Sequence, residues 1–104
     1  MQINDKNKSI TYNGEDMINV IKEIDEILIS LHDMGSYYAD KLPEKRQEYE
    51  HETTEFIDEG RVCDRLAAIR KTLSEGFDLS LGADDMDDIE RACADTVYWQ
   101  KPAE

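Results

Sequence analysis

Glu23 and Glu26 stand three residues apart, and so do Glu55 and Asp58. At helical spacing each pair puts two carboxylates on one face. Hard oxygen donors from two facing helices can share Mg²⁺ with a triphosphate, so these four residues are candidates for metal-assisted phosphoanhydride hydrolysis. Glu48 and His51 form a Glu-x-x-His half-motif, the spacing that binds one metal in di-iron helix bundles. A second copy is missing, because Ile29 stands three residues before His32. Asp78-x-Ser80-x-Gly82-x-Asp84 begins like a calcium loop but lacks the glycine at its sixth position and has Ile89 where a Glu is required. Two histidines assemble no Ser-His-Asp or Cys-His set, and five scattered glycines make no phosphate-cradling loop.

The Glu-x-x-Glu at Glu23 and Glu26, with the Glu-x-x-Asp at Glu55 and Asp58 on the next helix, resembles the all-α nucleotide pyrophosphohydrolases of the MazG type. The resemblance covers those four residues, the helical character and the short length, and it implies a Mg-dependent pyrophosphohydrolase. The basic phosphate contacts of that family have no counterpart that can be placed here. A chain with 25 acidic residues in 104 repeats the same spacing elsewhere, at Glu52 with Glu55, Asp84 with Asp87 and Asp85 with Asp88. The pairs are therefore read as solvated helix faces. No catalytic residue, metal ligand or cofactor is expected.

The acidity itself is the stronger signal. Twelve Lys and Arg leave a formal net charge of −13. From Glu48 to Glu59 there are six carboxylates (Glu48, Glu50, Glu52, Glu55, Asp58 and Glu59) and no Lys or Arg. Asp84, Asp85, Asp87 and Asp88 form a second patch. Carboxylates ordered along a helix produce a negative field that selects basic partners and imitates the charge rows of a nucleic-acid duplex. The same charge opposes direct binding to nucleic acid or anionic lipid. Its bland role is solubility.

These residues must be positioned by helices. Asn13 suits an N-cap with Asp16 three residues on. Met17, Val20, Ile21, Ile24, Ile27, Leu28 and Leu31 then form an apolar stripe, which Ile18 and Ile29 widen and which Gly35 is expected to end. A second helix is expected from near Leu42 to Ser74, with Pro43 in its first turn. Its main stripe is Tyr49, Thr53, Phe56, Gly60, Cys63, Ala67 and Phe77. A second ridge, Val62, Leu66, Ile69 and Leu73, appears only in its latter half. Gly60 implies close helix approach or a kink, with close approach slightly favoured. A third helix is expected to open at Asp84 as N-cap and to bury Met86, Ile89, Cys93 and Val97, closed by Tyr98 and Trp99. Cys63 and Cys93 both fall on apolar stripes and read as buried free thiols.

The expected fold is all-α: three main helices, an elongated antiparallel hairpin around a long central helix, dimerising into a helical bundle. Residues 1–13 are expected to be a loosely ordered lead, 14–100 a single helical domain and 101–104 a tail. The opening residues lack the basic start and apolar run of a signal peptide, and no stretch approaches the roughly 20 apolar residues that span a bilayer. A cytoplasmic location is therefore expected. In type the chain is similar to small acidic helical proteins of phages and mobile elements, including DNA mimics and anti-CRISPR inhibitors. The expected function is a non-enzymatic inhibitor or adaptor that presents its two acidic patches to a basic, nucleic-acid-binding site of a partner protein. One alternative is a small dimeric adaptor that binds through its apolar helix surface. The other is the MazG-like hydrolase.

Overall fold

A computed structural model describes residues 3–103. Met1, Gln2 and Glu104 lie outside the described residues, and with them the ends of the expected lead and tail. All regular structure among the described residues is helical, as expected: a 3-10 turn over Asp5–Asn7, then α1 (Gly14–Tyr38), α2 (Arg46–Glu59), α3 (Val62–Ser74) and α4 (Asp88–Cys93). The chain divides into two compact units. Tyr12–Leu73 form one, and the chain up to Thr11 together with that from Ser74 forms the other. No helix among the described residues is long and apolar enough to cross a membrane.

In the Tyr12–Leu73 unit, α1 begins as its sequence dictates, with Asn13 Oδ1 accepting from the Asp16 amide at 3.1 Å. It does not stop at Gly35 but continues to Tyr38. Its 25 residues give a rod of about 37 Å, slightly less than the 14 residues of α2 and the 13 of α3 laid end to end. The longest helix is thus the first, and the expected long second helix is two. Helix α2 starts at Arg46, because Leu42–Lys45 form turns, and it ends at Glu59.

The break has a local cause. Gly60 caps α2, and a Cβ there would sit 2.4 Å from the Phe56 carbonyl oxygen, so the chain can make this tight exit only with glycine. Arg61 then takes the left-handed conformation, φ 52°, and α3 restarts in a new register. The restart decides which side chains turn inward. Tyr49, Thr53 and Phe56 face α1 from α2, but beyond the break Val62, Ile69 and Leu73 are the covered positions, not Cys63 and Ala67. Cys63 is exposed as a result, and so is Cys93, against the expectation of buried thiols.

The helices run antiparallel. Tyr12 Oη donates to the Leu73 carbonyl at 2.6 Å, Arg65 reaches Glu23 and Glu26, and Tyr38 stacks on Tyr49 with ring centroids 5.2 Å apart. All five buried apolar residues of the described chain, Val20, Ile27, Tyr38, Val62 and Ile69, belong to this unit.

The other unit is held differently. Its one buried residue among those described is Asn7, 5% exposed. The Asn7 Nδ2 donates to the Asp78 carbonyl (2.9 Å) and to Asp88 Oδ2 (2.8 Å), while its Oδ1 accepts from the Asp78 amide at 2.7 Å. Helix α4 is shorter than expected and opens three residues later. Its N-cap is Asp87, in a reciprocal capping box with Glu90. Asp84 is outbid because Asp85 adopts φ 63°, which turns the chain before a helix can start. Val97, Tyr98 and Trp99, expected to close an inner face, lie beyond the helix outside regular structure and are 94%, 68% and 81% exposed.

Candidate functional site

The six carboxylates of α2 are all exposed, but the helix sorts them. Steps of four, three and four residues set Glu48, Glu52, Glu55 and Glu59 in one row on a flank of the helix. Glu50 lies on the other flank, bonded to Arg46 at 2.8 Å, and Asp58 points away from α1. The row is almost without cations. Lys45 approaches Glu48 at 3.8 Å and His51 approaches Glu55 at 3.7 Å. No ion pair involves Glu52 or Glu59 among the described residues.

At its Glu48 end the row borders an open cleft of about 420 Å³, lined also by Asp33, Met34, Tyr37 and Tyr38 of α1. Tyr38 is 2% exposed and forms the floor, meeting Tyr37 edge-on at 4.8 Å. Burial first, then the carboxylates of Glu48 and Glu52, push its hydroxyl up to about 12. Of the paired aromatics in the sequence, Tyr37-Tyr38 thus caps a core, whereas Tyr98-Trp99 does not. Farther along α1 on the same edge, Glu23 and Glu26 accept from Arg65, at 2.6 and 3.3 Å. This unit therefore has a continuous acidic face, made by one edge of α1 and the row on α2.

Its opposite face is apolar. Ile18, Ile21, Ile24, Leu28 and Ile29 of α1 are 38–61% exposed. Arg65 marks the acidic edge of α3, and Leu66, one residue on and 47% exposed, lies past the covered seam on the other edge. Helical spacing sets Ile21, Ile24 and Leu28 on that same side.

The second acidic patch is mostly spoken for by its own unit. Arg91 donates to Asp84 through Nε (2.7 Å) and Nη2 (2.8 Å), and to Asp88 through Nη1 (2.9 Å). Gly82 leaves room for this guanidinium, since a Cβ there would lie 2.7 Å from Nη2. The Arg91 hydrogen bonds hold the Asp84 carboxyl down at about 2. Asn7, with the Asn4 amide, likewise lowers Asp88. Asp87 caps α4. Asp85 alone of the four has no such internal partner among the described residues.

Glu23 and Glu26 are engaged by Arg65, and Glu55 and Asp58 do not join them. Among the described residues no three His, Cys, Asp or Glu side chains lie close enough together to hold a metal. The sequence reading missed Asn7 and Arg91; an Asn in a polar lead and a lone Arg after five acids give no periodic signal. Comparison with protein families, curated proteins and solved structures finds no match to this chain.

Proposed function

We propose that this is a non-enzymatic acidic interaction protein, an inhibitor or adaptor that presents carboxylates to a basic, nucleic-acid-binding site of a partner protein, and that it works as a homodimer. The observation that carries the reading is the row Glu48, Glu52, Glu55 and Glu59, four exposed carboxylates over about 16 Å of helix with almost no cation to neutralise them. Charges fixed on an ordered helix cost little reorganisation when a basic groove meets them. They also release counterions from that groove much as a nucleic acid does. Glu23, Glu26 and Asp33 on the adjoining edge extend the same field. Of the second patch, Asp85 is the residue available to a partner, since Asp84, Asp87 and Asp88 serve their own unit.

The test is capture of partners from host lysate at low and high salt, with the wild type and with Glu52→Lys, Glu55→Lys and Glu59→Lys combined. Nucleic-acid-binding proteins should be retained by the wild type at low salt, released at high salt and displaced by duplex DNA. The triple variant, with its helical circular dichroism unchanged, should lose them. Retention by the triple variant, or indifference to salt, would remove this function.

A further inference from the structure

The apolar face carries a second, more specific consequence, which builds on the homodimer proposed above but not on the acidic row. We infer that two copies of this chain pack face to face through Ile21, Ile24 and Leu28 of α1 and Leu66 of α3, each α1 lying over the α3 of the other copy. Three observations identify the occupant as a second copy.

The first is exposure. Ile21, Ile24 and Leu28 of α1 and Leu66 of α3 are 38–61% exposed on one side of the same unit, an apolar surface of the kind that marks an interface. The second is position. Two acidic proteins of net charge −13 repel wherever their carboxylates meet. The apolar face is the side of this unit turned away from the acidic row, so it is where two copies approach at least cost. The third is charge complementarity between elements. Beside the apolar face, α1 presents the exposed Asp25, one turn from both Ile21 and Leu28, and α3 presents the exposed Arg70, one turn from Leu66. Stacking α1 on its counterpart would oppose like charges. A two-fold axis along the helices instead sets α1 over the second copy's α3, antiparallel and opposite in sign, and does so twice. Arg70, exposed and without an ion pair among the described residues, stands on α3 one turn beyond Leu66, where the acidic helix of the second copy would pass.

Sedimentation equilibrium at micromolar loading tests this. The wild type should weigh twice 12.0 kDa. Leu66→Glu and Leu28→Asp, on two different helices and both at exposed positions, should each give single chains with helical content kept. Arg70→Glu should weaken the dimer about tenfold at low ionic strength and markedly less at high salt, the signature of a charge contact at a rim. The triple α2 variant used for partner capture should remain dimeric, which separates this interface from the acidic row. A wild-type mass of one chain, or dimers undisturbed by Leu66→Glu and Leu28→Asp, would overturn the interface. An Arg70→Glu variant that dimerises as tightly as the wild type would overturn the placement of α1 over α3.

Discussion

Arg91 and Asn7 together do for one unit what apolar side chains do for the other. Arg91 gathers Asp84 and Asp88, and Asn7 ties Asp88 to the backbone of Asp78. Each of these carboxylates is more acidic in the folded chain than its ordinary value of 3.8. Their contribution to stability is therefore fully present above about pH 4 and is lost as pH falls toward 2, where Asp84 takes up its proton. Acid titration followed by the Asn7 side-chain amide resonances should show its environment collapsing across that window. Asp84→Asn should shrink the pH dependence, because no proton is then bound at that position. Constant Asn7 resonances down to pH 2 would contradict this account. Of the four aspartates that read as a partner-binding patch in the sequence, two are ligands of one arginine and a third caps α4.

At the scale of the elements, three backbone positions make opposite demands. Gly35 lies inside α1, where a Cβ would meet Tyr49 Oη at an ordinary 3.7 Å. Gly35→Ala should therefore stabilise the protein by about 1 kcal/mol through helix propensity. Gly60→Ala drives its Cβ against the Phe56 carbonyl and should cost about 1–3 kcal/mol. Arg61→Gly relieves a left-handed non-glycine residue, worth about 1–2 kcal/mol, and gives up an exposed bond to Asp64 worth at most about 0.5 kcal/mol. The net sign is stabilising. Chemical denaturation of the three variants checks all three signs. The same positions show what could be read beforehand. The cap at Asn13, the apolar period of α1 and the antiparallel return are local or periodic, so the sequence displays them. The exit at Gly60 depends on one carbonyl and on a non-glycine residue accepting φ 52°, which no periodicity announces. A single shift of register there moved Cys63 and Ala67 outward and Val62 inward. The row on α2 was legible as composition, but its separation from Glu50 and Asp58 required knowing which flank meets α1.

For the molecule as a whole, the governing fact is how little of it is covered. Five buried apolar side chains among the described residues are few, and the exposed apolar face of α1 and α3 is the counterpart of that shortage. In the function and dimer proposed above, the acidic face and the apolar face of the same unit divide the work, one toward a basic partner and one toward a second copy. The segment after α4 adds an optical consequence. Trp99, the single tryptophan, is 81% exposed, so the indole sits outside both the α1–α3 seam and the Asn7 network. Its emission should already be red-shifted in the native protein and accessible to acrylamide, and it should barely change when the helices melt. Far-ultraviolet circular dichroism should show a full unfolding transition at the same denaturant concentrations. A large blue-to-red change in indole emission on melting would place Trp99 elsewhere. The protein is thus nearly silent to the commonest fluorescence assay of folding, yet carries a built-in sensor for anything that docks on its aromatic tail.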